Sequence, residues 1–144
     1  MSQENVEIVK ALLPPSGTDI LPLIRDDEGF ARMREALSPF LADDFHGTIV
    51  FPSVAHPFAG LEGFREAWLD WLEPWATYRT TIEELIDAGD RVVAVVRDYG
   101  RREGMDEEVE LIGAAIWTIR EGKAARYDGY ADRAEALKAA GLSE

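Results

Sequence analysis

Few side chains in this sequence can do chemistry, so their spacing matters. The 144 residues include two histidines and no cysteine. His46 stands near the start of Phe45-His46-Gly47-Thr48-Ile49-Val50-Phe51, with Phe45 and Ile49 as apolar neighbours. A histidine there is either a general base poised near neutral pH or a strand-end residue satisfied by backbone or water. His56 falls between Pro52 and Gly60, in a stretch that reads as a loop, and is a candidate lid residue. Arg126, Asp128 and Tyr130 alternate along one run and so share a strand face. A carboxylate and a phenol on one face can polarise a carbonyl or hold an enolate. The alternative is an exposed Arg126–Asp128 ion pair beside a core tyrosine. The candidate catalytic set is therefore His46, Asp128 and Tyr130.

Arg97, Tyr99 and Arg101 also share a face, with Asp98 pointing the other way. Two arginines flanking a tyrosine suit an acidic ligand, but their closeness to a turn equally suits solvated charge. The expected ligand-pocket residues are Trp71, Trp75, Tyr99, Trp117 and Arg126. Trp68 and Trp71 complete a helical stripe and read as core on that ground. No Gly-rich phosphate loop follows a strand, and Gly-x-Ser-x-Gly and His-Glu-x-x-His are both absent. Two histidines ten apart without a cysteine argue against a metal site. Nucleotide, serine-hydrolase and zinc chemistry are set aside.

Composition narrows the partners. The formal net charge of −13 repels nucleic acid phosphates and anionic lipid heads, so neither nucleic acid nor a membrane is expected as a partner. No apolar run approaches the roughly 18–20 residues that span a bilayer. The opening Met1-Ser2-Gln3-Glu4-Asn5 has no basic region followed by an apolar stretch. With no cysteine available for disulfides, a cytoplasmic location is the expectation.

The elements that position these residues begin with a helix over 4–13, ended by Pro14-Pro15. Ser16 to Asp19 reads as a loop, with Asp19 able to cap a short turn through Leu23. Asp26 or Asp27 caps a second helix to about residue 41, and Asp43-Asp44 reads as a break. One strand follows at 45–51, then a loop over 53–60. Leu61, Phe64, Trp68, Trp71 and Leu72 make the clearest helical stripe, closed by Pro74. Trp75–Ile86 and Arg91–Tyr99 pair around Asp87-Ala88-Gly89-Asp90, and Gly100 to Asp106 makes the next turn.

The longest feature is a hairpin, Glu107–Arg120 returning over Ala124–Ala131, with Gly122 in its turn available for a positive φ. Its first strand carries Ile112, Ala114 and Ile116 on one face and Leu111, Ala115 and Trp117 on the other, so its middle is expected to be covered on both sides. Asp132-Arg133-Ala134-Glu135 is a capping box for a last helix ending at Gly141. Helices segregated from a run of strands indicate an α+β layer in one domain spanning 1–144.

Several stretches resemble the SnoaL-like branch of the nuclear-transport-factor-2-like, or cystatin-like cone, superfamily. They are Ser2–Val9, Gly60-Leu61-Glu62-Gly63-Phe64, Ile86–Val93, Trp117–Lys123 and Tyr130–Leu137. The resemblance implies a strongly curved mixed, mainly antiparallel sheet, with N-terminal and other helices closing a conical cavity. It also implies a homodimer through the sheet's outer face, and a small hydrophobic molecule as ligand. Catalytic relatives use one acid–base residue in an apolar pocket, with no metal and no organic cofactor. They include ketosteroid isomerases, epoxide hydrolases, dehydratases and polyketide cyclases; other relatives are non-catalytic. The resemblance assigns no catalytic residue, so a cofactor-independent acid–base protein and a non-catalytic carrier or interaction module both remain. The chain departs from the usual short form over 14–42, a region that helps close the cavity mouth.

Overall fold

A computed structural model describes residues 2–50 and 55–142. Five helices stand against one seven-stranded sheet. The helices are α1 (Ser2–Leu12), α2 (Leu21–Arg25), α3 (Asp27–Leu37), α4 (Gly60–Leu72) and α5 (Arg133–Ala139). The strands are β1 (Thr18–Asp19), β2 (Leu41–Val50), β3 (Ala55–Ala59), β4 (Trp75–Ala88), β5 (Arg91–Arg102), β6 (Glu108–Arg120) and β7 (Lys123–Tyr130). They lie in the order β1-β4-β5-β6-β7-β2-β3. All neighbours are antiparallel except β2 and β7, which run parallel, so the sheet is the mixed, mainly antiparallel one expected. Register irregularities in β4, between Trp75 and Thr77 and between Ile82 and Glu84, give the sheet places to bend.

The β6–β7 hairpin follows from its sequence. Glu121 and Gly122 have φ of 52° and 79°, the doubly positive geometry that suits the right-handed twist of the flanking strands. Side chains of β6 divide as alternation requires. Ala115, Trp117 and Ile119 join Val92, Ala94, Phe45 and Tyr127 in the main core on the concave face. Ala114 and Ile116 join Val93 and Val95 on the outer face, where Ala136, Leu137 and Ala140 of the C-terminal helical segment cover them. A segment of this same chain thus covers the second apolar face. Asp132 starts that helix by accepting from the Ala134 N–H at 2.8 Å. Ile112, beyond the reach of α5, is 46% exposed.

Over the concave face, α1 buries Val6, Val9 and Leu12. Asp26 caps α3 by accepting from Gly29 N–H at 2.9 Å. Two arginines fasten α2 and α3 to α4. Arg25 Nη2 donates to the carbonyls of Leu72 (2.6 Å) and Trp75 (2.8 Å), satisfying the exposed end of α4. Arg65 reaches back to the carbonyl of Ile24 (2.6 Å) and to Asp27 (2.8 Å).

Four expectations change at their edges. Asp43-Asp44 is no break: both residues lie within β2, exposed, where its register against β7 shifts between Leu41 and His46. Thr18-Asp19, expected in a loop, forms a two-residue strand on β4. β5 runs on through Gly100 to Arg102, so the following turn starts later. The expected 53–60 loop contains β3, antiparallel to β2, which places His56 on an edge strand; Phe51 to Val54 lie outside the described residues. At Gly47 the parallel β2–β7 contact is so close that a Cβ would sit 1.7 Å from the Tyr127 carbonyl oxygen. Gly47→Ala is expected to cost about 3 kcal/mol or more, as overpacking that only backbone movement can relieve. Chemical denaturation of the variant measures this, and an unchanged midpoint would contradict the contact.

Candidate functional site

Between the concave face and the helices lies a cavity of about 230 Å³. Its wall is aromatic and aliphatic: Phe64, Trp68 and Trp71 from α4, Trp117 from β6, Tyr127 from β7, and Leu23, Ile24, Met33 and Leu37 from the α2–α3 segment. The departure at 14–42 therefore forms one side of this cavity. No lysine, arginine or histidine lines it among the described residues, and the one carboxyl group in the lining is that of Asp98.

Asp98 reaches this position by strand alternation. Val92, Ala94, Val96 and Asp98 share the concave face of β5, so a carboxylate ends an apolar stripe. On β4, Thr80 lies directly opposite Asp98 and Tyr78 lies opposite Gly100. Cross-strand neighbours on one face come within side-chain reach. The Tyr78 hydroxyl donates to Oδ2 of Asp98 at 2.7 Å, and the Thr80 hydroxyl donates to Oδ1 at 2.6 Å. Trp71 Nε1 donates in turn to the Tyr78 hydroxyl at 3.0 Å. Four residues from three elements thus form one polar patch on an otherwise apolar wall.

Asp98 is 8% exposed. Burial raises its pKa above the ordinary carboxyl range, and the hydrogen bonds from Thr80 and Tyr78 oppose that shift only in part. Burial, followed by the nearby Asp98 charge, also raises Tyr78. Tyr127, fully enclosed, is raised by burial and then by the charges of Asp98 and Asp128. Both phenols therefore stay protonated as hydrogen-bond donors at any ordinary pH.

The residues singled out from sequence divide between two faces. Trp71 and Trp117 line the cavity, whereas half-buried Tyr130 follows Arg126 and Asp128 onto the outer face, where it packs against the Val93, Ala114 and Ile116 cluster. Trp75 is buried beside the cavity, outside its wall, with its ring over Gly100, where a Cβ would lie 2.6 Å from it. His46, Asp128 and Arg126 lie on the outer face of β2 and β7, opposite in alternation to the cavity-lining Phe45 and Tyr127. There Asp128 accepts from Thr48 Oγ1 (2.7 Å) and Arg126 Nε (2.8 Å), the ion-pair arrangement. His46 Nδ1 donates to the Asp44 carbonyl at 2.9 Å. Tyr99 is on the outer face of β5, with the Arg79 guanidinium 4.2 Å from its ring centre. The geometry thus corrects the expectation that His46, Asp128 and Tyr130 share a pocket with the tryptophans. The carboxyl that does so is Asp98, which carried a visible signal as the one charge on the Val92–Val96 stripe.

A mixed sheet wrapped round an apolar cavity and closed by helices defines an α+β cone. The chain belongs to the SnoaL-like domain family, whose model matches residues 28–127. Solved structures agree on the fold. TerC co-crystallised with polyporic acid is 19% identical, with 94% of this chain and 98% of that one covered and a TM-score of 0.65. A nuclear-transport-factor-2-like protein of Burkholderia xenovorans LB400 is 23% identical, with 97% of each chain covered and a TM-score of 0.60. A hypothetical protein of Catenulispora acidiphila with a ketosteroid isomerase-like fold, in complex with trimethylamine, is 20% identical, with 94% and 93% covered and a TM-score of 0.57. No curated protein matches the chain.

Asp98→Asn isolates the cost of the buried carboxyl. The native carboxyl keeps its proton to higher pH than the unfolded chain's, which titrates near 3.8. Between those two titrations the native state holds more protons, so wild-type stability falls as pH rises through the window and levels off above it. Asparagine does not titrate, and its amide can both accept and donate toward Tyr78 and Thr80. The melting temperature of Asp98→Asn relative to wild type is expected to climb across this window and to exceed wild type at pH 8. A variant that melts lower at pH 8 would mean that the two hydrogen bonds outweigh desolvation.

Proposed function

We propose that the protein takes up a small hydrophobic molecule in the cone and, without a cofactor, exchanges a proton with it through Asp98. The observation that carries this reading is a single buried carboxyl, with its pKa raised, in a cavity otherwise walled by apolar and aromatic side chains. A carboxyl that burial makes hold its proton more firmly than usual can act as an acid and then as a base in one cycle. The role expected of Asp128 moves in this reading to Asp98. Tyr127 brings a further hydroxyl to the cavity wall, where the indole Nε1 atoms of Trp68 and Trp117 have no hydrogen-bond partner among the described residues. Structural neighbours have been solved with small organic molecules, polyporic acid in TerC and trimethylamine in the Catenulispora protein, which is in keeping with a ligand-holding cone. Pairing of two copies through the outer face would use the part that α5 leaves open, around Ile112.

Two measurements test this. A neutral fluorescent hydrophobe, N-phenyl-1-naphthylamine, is expected to bind the wild type, and Ala115→Phe, which fills the cavity from β6, is expected to abolish its signal. A panel of carbonyl and epoxide compounds is then screened for turnover. For any compound turned over, Asp98→Asn is expected to reduce kcat by about 100-fold or more, the usual scale of general acid–base catalysis. Turnover unchanged in Asp98→Asn would remove Asp98 from the chemistry, and an absence of turnover across the panel would favour the non-catalytic carrier.

A further inference from the structure

The hydrogen bonds around Asp98 suit a carboxylate, while the cavity supplies nothing to balance its charge. Oδ1 and Oδ2 each accept from a hydroxyl, and the Tyr78 hydroxyl itself accepts from Trp71. Every neutral partner of the carboxyl is thus arranged as a donor toward it. Among the described residues, the elements packed around it bring no cation. β4 contributes Tyr78 and Thr80, β6 contributes Leu111 opposite Asp98, and β7 contributes Tyr127. α4 contributes Trp68 and Trp71, and the α2–α3 segment contributes only aliphatic and thioether side chains. Tyr78 and Tyr127 are therefore the titratable groups that face it, and both are neutral phenols. The surrounding faces are rich in π-density: the Trp68 and Tyr78 ring centres are 6.4 Å apart, and those of Phe64 and Tyr127 are 5.1 Å apart. An aromatic wall around a carboxylate without a counter-charge is the chemistry that recognises an organic ammonium ion. The net charge of −13 raises the local concentration of cations in the same sense.

We infer that the cone takes a hydrophobic organic ammonium, with the cationic nitrogen beside Asp98 and the apolar body against the tryptophans of α4 and β6. This rests on the cavity reading of the preceding section and names the class of its occupant. When a permanent cation enters while Asp98 is protonated, the carboxyl O–H bond breaks, the proton leaves to solvent, and the ammonium becomes the counter-charge of the carboxylate. A neutral amine achieves the same state by taking the Asp98 proton onto its lone pair. In both cases the raised pKa of the empty cavity falls when the ligand is present.

The test uses two probes of one shape, phenyltrimethylammonium and tert-butylbenzene, titrated calorimetrically into the full chain. At pH 8 the cation is expected to bind at least tenfold more tightly than the hydrocarbon. That preference is expected to shrink as pH falls through the titration of Asp98, and to vanish in Asp98→Asn, which still binds tert-butylbenzene. Wild type alone gives a second readout. Heats in phosphate and Tris buffers should differ by the ionisation enthalpy of up to one released proton per cation below the Asp98 titration, and of none above it. Equal or tighter binding of tert-butylbenzene at pH 8 overturns the ammonium assignment and leaves the apolar-cavity reading standing. Failure of both probes to bind overturns both.

Discussion

The pairing of β4 with β5 puts Thr80 directly opposite Asp98, and the chemistry of the cone depends on that register. A shift of one residue would turn Asp98 outward to join Arg97 and Tyr99 and would bring an arginine or tyrosine into the cavity. The register is held by a long antiparallel ladder from Ala88↔Arg91 to Trp75↔Arg102, broken only by two irregularities. The apolar concave stripe on β5 reinforces it. Packing elsewhere in the molecule serves to keep water away from this pair of strands: α4 lays its tryptophans over them, and the α2–α3 segment closes the side.

That segment is held in an unusual manner. Its strongest attachments to α4 are guanidinium groups bonded to backbone carbonyls at helix ends, from Arg25 and Arg65. Charged donors on otherwise unpaired carbonyls are stronger than neutral hydrogen bonds and fix direction as well as distance. An apolar lid could slide over an apolar cavity; one anchored in this way is indexed to α4, so the cavity wall formed by Leu23, Ile24 and Met33 has a defined place. Arg34 and Glu62 add a further ion pair between α3 and α4.

Much of the fold could be read from alternation and punctuation. The β6–β7 hairpin, the α4 stripe, the Pro14-Pro15 stop and the Asp132 cap all stand where local patterning places them. β3 was hidden because Ala55-His56-Pro57-Phe58-Ala59 contains a proline and little β-branched character. An edge strand tolerates this, and Pro57 pairs with Thr48 at the margin of the sheet. The site was harder for a different reason. Alternation says which residues share a face, but not which face is concave. In most half-buried sheets the polar face announces itself. Here α5 makes the outer face of β5 and β6 as apolar as the inner one, and that contrast is lost just where it was needed. Asp128 and Asp98 then look alike in sequence, each a carboxylate on an apolar strand, although only Asp98 meets the cavity.

The position of α5 also bears on the order in which the chain can mature. Val93, Val95, Ala114 and Ile116 form a sheet face that stays bare until the α5 segment has docked. A seven-residue helix has almost no stability of its own, so it forms only against that face. A chain with its sheet formed and α5 undocked therefore presents a contiguous apolar face on which another chain can adhere. Docking of this short segment thus does more than add a helix, because it takes an adhesive surface out of reach of neighbouring chains.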